Sequence, residues 1–171
     1  MTLAKIEKAT VFRSANKKFS VSFSSGVTAD MARICLASRE SETGGILIGR
    51  YSDDQAIAIV EQVSGPPPDS QHCFATFFRG IRGLQDLLNK LWAKPKKQYY
   101  LGEWHYHPLP ILTPSSDDIT QMSSIAASDK YACPEPILVI VAGPQPSEYN
   151  LSVSVHYASG DMVFLFAEPR D

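Results

Sequence analysis

From Tyr99 to Trp104 the chain is aromatic and apolar, and it then passes through His105-Tyr106-His107 into Pro108. This junction constrains the fold more than any other segment. Aromatic and apolar residues suit a pleated, half-buried surface, so Tyr99 to Trp104 reads as a strand. Proline has no N–H to give to a sheet ladder, so Pro108 forbids continuation of a central strand. Leu109 to Pro114, with Pro110 inside it, then makes a stiff loop. Beyond it, Ile119, Met122, Ile125 and Ala126 recur at helical spacing, which predicts a helix over Ser115 to Ser128 with Asp118 in its first turn.

The same junction carries candidate chemistry. Side chains alternate along a strand, so His105 and His107 point the same way. Two imidazoles on one face can share a metal, and the helix start delivers Asp118 as a third ligand. Two nitrogens and one carboxylate suit an open zinc site, which keeps its fourth tetrahedral position for water. Each piece also has a plainer reading. Ser115-x-x-Asp118 fits a helix capping box, and alternating histidines also suit an exposed polar face.

Hydrolysis also needs a proton carrier. Zinc lowers the pKa of its water to about 7, but another group must take the proton and pass it to the leaving amine. Glu42 opens Glu42-Thr43-Gly44-Gly45-Ile46-Leu47-Ile48-Gly49, where a glycine pair allows close backbone approach before an apolar strand. Glu40, Glu61 and Glu103 compete for the role. Strand parity puts Glu103 on the face of the two histidines, beside a metal, whereas Glu40 and Glu61 read as solvated charges. Spacing alone does not choose among them.

The rest of the chain reads as a mixed sheet with helices. Phe19, Val21 and Phe23 alternate with serines as a half-buried strand, and Thr28 to Ala37 reads as a helix. Ile46 to Tyr51 and Ala56 to Val63, separated by Ser52, Asp53 and Asp54, read as a hairpin. A short strand is expected around Phe74 to Phe78. Ile81, Leu84, Leu87, Leu88 and Leu91 mark an amphipathic helix. Ile137 to Val141, Leu151 to Val155 and Met162 to Phe166 supply late strands, giving an α/β (α+β) domain.

Composition excludes several classes. With 171 residues the chain has the size of one domain, residues 1–171. A net charge of -2 lacks the basic footprint of a nucleic-acid or anionic-membrane binder, and Lys94, Lys96 and Lys97 are only a local cluster. No apolar run approaches the roughly 18 residues of a membrane span. Met1 to Phe12 mixes Lys5, Glu7 and Lys8 with apolar residues, unlike a secretory signal, so a cytoplasmic location is expected. Cys35, Cys73 and Cys133 are widely spaced and read as small buried hydrophobes.

Taken together, Glu42 with its Thr-Gly-Gly context, His105-x-His107-Pro108, Ser115 and Asp118 resemble the complete JAMM (JAB/MPN) metalloprotease signature. That family comprises zinc isopeptidases that remove ubiquitin or ubiquitin-like proteins from lysine conjugates or process their tails. The resemblance implies an MPN/cytidine-deaminase-like, largely antiparallel sheet flanked by helices. It implies zinc on His105, His107 and Asp118, Glu42 as general acid/base, and Ser115 as hydrogen-bond donor to the tetrahedral intermediate.

Val63-Ser64-Gly65-Pro66-Pro67, Phe78-Arg79-Gly80-Ile81-Arg82-Gly83-Leu84 and Gly102-Glu103-Trp104-His105 further resemble a bacterial JAB subfamily of integrative and conjugative elements. Members of that subfamily resemble peptidases of antiphage operons that also encode activating and conjugating enzymes. The implied partners are a ubiquitin-like protein and its conjugates, including a conjugated nucleotidyltransferase. Two further readings stay open: a hydrolase that trims sulfur-carrier tails, and a zinc-bearing scaffold without useful catalysis.

Overall fold

A computed structural model describes residues 10–72 and 76–168. Strands β1 (Val11–Ser14) and β2 (Ser20–Phe23) precede helix α1 (Val27–Ser38), and β3 (Thr43–Tyr51) and β4 (Ala58–Val63) follow as a hairpin. A two-stranded ribbon, β5 (Gln71–His72) and β6 (Phe77–Phe78), leads into α2 (Leu84–Trp92). Then come β7 (Tyr99–His107), α3 (Ser116–Ala126), β8 (Ile137–Ala142), β9 (Asn150–His156) and β10 (Met162–Ala167).

The expected mixed, largely antiparallel sheet is present. It also closes on itself as a barrel in the order β1-β10-β9-β8-β7-β3-β4-β2, with β2–β4 and β7–β8 parallel. Strands β1 and β5 have no counterpart in the sequence reading. Both are short and lack an apolar alternation long enough to show a period of two. The expected strand around Phe74 reduces to β6 among the described residues, and its start lies outside them. The helix expected from Ile81 begins at Leu84, because Gly83 caps it with a positive φ of 82°.

Successive residues of the central strands feed two cores. Leu47, Val139, Val141, Trp104 and Tyr106 pack with Val27, Met31 and Cys35 of α1. Ile46, Ile48, Leu138 and Ile140 pack on the opposite face with Leu91 of α2 and Met122 and Ile125 of α3. Trp104 and Tyr106 are almost fully buried, as their strand parity predicts. Cys35 and Cys133 are buried free thiols, as expected; Cys73 lies outside the described residues.

Parity fails at one place in β7, with consequences for the site. The register jumps from Leu47↔Gly102 to Ile48↔Tyr100, so Leu101 is the extra residue of a bulge. Gly102 takes a φ of 151°, and a Cβ there would lie 1.9 Å from the Ile137 carbonyl oxygen. The bulge turns Tyr100 onto the face of Glu103, where its hydroxyl donates to the Glu103 carboxylate at 2.8 Å. A simple two-residue alternation would have sent Tyr100 to the Trp104 side.

Candidate functional site

Strand pairing assembles the site. β3 runs antiparallel to β7 with Thr43 opposite Tyr106 and Gly44 opposite His105, so Glu42, just before β3, arrives at the level of His107. A side chain at Gly44 would put its Cβ 2.2 Å from the Trp104 carbonyl oxygen, 2.9 Å from the Phe77 ring and 3.0 Å from the His105 ring. The glycine is therefore what lets the His105 and Phe77 rings lie against the backbone of β3. Beside it, the Trp104 indole donates to the Ser64 carbonyl at 3.0 Å, fixing the far side of β7.

The proline loop and α3 complete the constellation. Ser115 is the N-cap of α3: its hydroxyl accepts from the Asp118 amide at 3.1 Å, while its own amide donates to Asp118 Oδ2 at 2.7 Å. The capping-box reading is thus correct, and it does not compete with a site role. The cap is what holds the Asp118 carboxylate in place. Its Oδ1 meets His105 Nδ1 at 2.5 Å, and its Oδ2 lies 3.5 Å from His107 Nε2. The Ser115 hydroxyl gives its hydrogen to Asp118 Oδ2 at 2.8 Å.

The donor set carries a charge argument. His107 Nδ1 lies 3.0 Å from the Ile111 carbonyl, which only accepts, so Nδ1 bears the proton. In a neutral ring Nε2 is then a lone pair facing a carboxylate oxygen. That edge calls for positive charge, either a proton or a cation. Burial alone would lower the His107 pKa, yet its bonds to Asp118 and Ile111 outweigh burial and raise it. Burial would likewise raise Asp118, but the two imidazoles hold its carboxyl well below the usual carboxylate range. His105 Nε2 is buried and has no hydrogen-bond partner.

His105 Nε2, buried without a partner, and His107 Nε2, a lone pair facing an ionised carboxylate, are nitrogens that a divalent cation such as zinc would satisfy. In the arrangement described, Asp118 is spent on the His105 hydrogen bond. Among the described residues no three His, Cys, Asp or Glu side chains stand as a ready-made metal cluster.

Glu42 is half-buried, and burial raises its pKa, with Asp118 and Asp117 adding to the shift and His107 and His105 opposing it. All four candidate ligands and bases thus share one electrostatic neighbourhood. The competing glutamates do not join it. Glu103 lies on the histidine face, as parity predicts, but its side chain is fully buried against Arg79, whose Nε sits 2.5 Å from Oε2. Glu61 is not a solvated charge: it is mostly buried and binds Arg50, Lys96 and Gln98. Glu40 is exposed, as expected.

Three residues at the site gave no signal in the sequence reading. The Phe77 ring stands edge-on to His105 with centroids 5.6 Å apart. His72 packs on Phe77 and places Nδ1 3.0 Å from the Glu42 carbonyl. His156 is fully buried on β9 and its pKa is pushed down to about 4 by desolvation. Each belongs to a short or late element without a recognisable spacing to the main motif.

Two clefts lie on the α2 and α3 side, and neither is lined by the candidate ligands, Glu42 or Ser115. One, of about 300 Å³, is lined by Ile46, Arg79, Leu84, Leu88 and Tyr131. The other, of about 450 Å³, runs between Phe78 and Ile81 on one wall and Asp117, Thr120, Gln121 and Ser124 of α3 on the other.

Residues 24–155 match the family of prokaryotic homologs of the JAB domain, and the chain belongs to that family. It is 41% identical over 148 residues to a protein of Enterobacter hormaechei subsp. hoffmannii (strain UCI 50) named CD-NTase/cGAS isopeptidase, covering 86% of this chain and 81% of that one. The solution structure of protein DSY2949 from Desulfitobacterium hafniense superposes with a TM-score of 0.63, over 86% of this chain and 89% of that one. At 19% identity that similarity concerns the fold. The chain is a hydrolytic enzyme of the JAMM type.

Proposed function

We propose that this enzyme is a zinc-dependent isopeptidase that cleaves after the C-terminus of a ubiquitin-like modifier or of a ubiquitin-like conjugated protein, reversing conjugation in antiphage defence. The relative's name suggests a CD-NTase as the conjugated protein. The observation that carries the reading is the meeting of half-buried Glu42 with the His105–Asp118–His107 group at the end of the β3–β7 pair.

His105, His107 and Asp118 would hold zinc, which when bound polarises the scissile carbonyl and lowers the pKa of the attacking water. Glu42 takes a proton from that water as its oxygen adds to the carbonyl carbon. It returns the proton to the lysine nitrogen as the C–N bond breaks. Burial keeps the Glu42 carboxyl easier to protonate than a solvated one, which suits a group that must both accept and release a proton. The Ser115 hydroxyl, which donates to Asp118 Oδ2 in the structure, would supply a donor to the developing oxyanion. The cleft of about 450 Å³ between β6 and α3, lined by Asp117, the residue before Asp118, is a candidate seat for an extended tail.

The test is cleavage of conjugates made by co-encoded activating and conjugating enzymes, with and without chelator. Release of modifier and free lysine amine that stops with chelator and returns with zinc supports the reading. Failure on every conjugate, with trimming of a sulfur-carrier tail instead, would replace it.

A further inference from the structure

The segment between β4 and α2 carries two groups to the site and is tied down at its base. The ties are specific. Asp69 accepts from the amides of Ile81 at 3.1 Å and Arg82 at 3.0 Å, and Ser70 Oγ accepts from the Gly80 amide at 2.9 Å. Gly80 allows that closure, since a Cβ there would lie 2.1 Å from Asp69 Oδ1. Arg79 then crosses to β7. Its guanidinium contacts Glu103 through Nε, donates to the Gly80 carbonyl through Nη1 at 2.7 Å and to the Tyr131 hydroxyl through Nη2 at 2.8 Å.

This pair is costly to bury. The side chains of Arg79 and Glu103 are 2% and 0% exposed, and buried charges persist only where geometry and extra hydrogen bonds compensate their desolvation. Both Glu103 oxygens are used, one by Arg79 and one by the Tyr100 hydroxyl that the β7 bulge turned toward it. Arg79 directly follows β6, whose Phe77 lies on Gly44 and His105. Opposite Phe77 in the ribbon is His72, bonded to the Glu42 carbonyl. The ribbon therefore touches the proposed base and one proposed ligand at once, and the ion pair fixes its root on the strand that carries both histidines.

We propose that Arg79 and Glu103 are positioning residues, a buried latch that holds the β5–β6 ribbon so that His72 and Phe77 keep Glu42 and His105 in register. The proposal rests on the isopeptidase reading for its catalytic consequence, but the latch itself is tested without turnover. Misplacing catalytic groups by about 1 Å costs on the order of a hundredfold in rate. Uniform loss of stability would not single out the ribbon.

The experiment compares Glu103→Gln and Arg79→Lys with the wild-type chain by hydrogen exchange across residues 70–80, zinc content, and kcat and KM on a conjugate. Glu103→Gln keeps side-chain length and some hydrogen bonding, and Arg79→Lys keeps the charge on a shorter side chain without the guanidinium fork. The latch predicts faster exchange confined to the ribbon, zinc content close to wild type, and kcat reduced roughly tenfold to a hundredfold with a smaller change in KM. Unchanged exchange in the ribbon, or exchange that rises equally in β3, β7 and β8, would overturn it. If Glu103→Gln does not fold, Tyr131→Phe removes one bond of Arg79 and leaves the ion pair, and it must show the same pattern in weaker form. A wild-type enzyme that cleaves no conjugate would refute the isopeptidase reading while the exchange result still decides the latch.

Discussion

Between pH 7.5 and pH 5, acidification should destabilise this protein through His156. Its ring is fully buried on β9, Nε2 lies 3.0 Å from the Ser154 hydroxyl, and Nδ1 has no partner. Desolvation pushes its pKa from the ordinary 6.5 to about 4. Between those values the unfolded chain binds a proton that the folded chain refuses, so stability falls as pH drops through that window. At about 1.4 kcal/mol per pKa unit, the full effect is about 3 kcal/mol, of which about 2 kcal/mol is lost by pH 5. Urea unfolding followed by circular dichroism at pH 7.5 and pH 5 measures the wild-type loss. The same pair of curves for His156→Phe isolates the residue, because the active-site groups titrate in both proteins. The variant should lose about 2 kcal/mol less than wild type over this interval. An equal loss in both proteins would refute the buried neutral imidazole as the cause.

Other perturbations test other joints of the structure. Gly44→Ala drives a Cβ into the Trp104 carbonyl and the rings of Phe77 and His105, so thermal unfolding should show a loss of about 1–3 kcal/mol together with weaker zinc retention. A stability equal to wild type would mean that the β3–β7 approach is looser than described. Ser115→Ala removes the α3 cap and a hydrogen bond to Asp118, and should cost about 1 kcal/mol in stability. If Ser115 also serves the oxyanion, kcat should fall about a hundredfold, far more than a lost cap explains. Asp118→Asn should abolish zinc binding by metal analysis, because an amide cannot supply the charge that the His107 edge faces.

Much of the site was legible because its residues lie in elements with strong local signals. Pro108 ends β7 as expected, the apolar spacing of Ile119, Met122 and Ile125 marks α3, and Ser115 and Asp118 form the box their spacing allows. β7 runs through both histidines rather than ending at Trp104, since pairing with β8 reaches His107↔Ala142. What stayed hidden depends on long-range pairing. The bulge at Leu101 reverses parity for Tyr100, and closure of the barrel follows from twist and bulges rather than from any one strand. Parity placed Glu103 on the right face, but its partner Arg79 comes from a separate segment with no periodicity of its own. The same holds for His72 and Phe77, whose two-residue strands are too short to read.

The central claim is that Glu42 moves the proton while His105, His107 and Asp118 hold the metal. Single-turnover cleavage of a modifier conjugate by Glu42→Gln, in protein whose zinc has been quantified, tests it most directly. Full zinc occupancy with turnover lost by about 10³-fold or more is the predicted result, in line with removal of an essential proton carrier. Zinc-free protein would make Glu42 a ligand, and full zinc with wild-type turnover would move the proton transfer to another group.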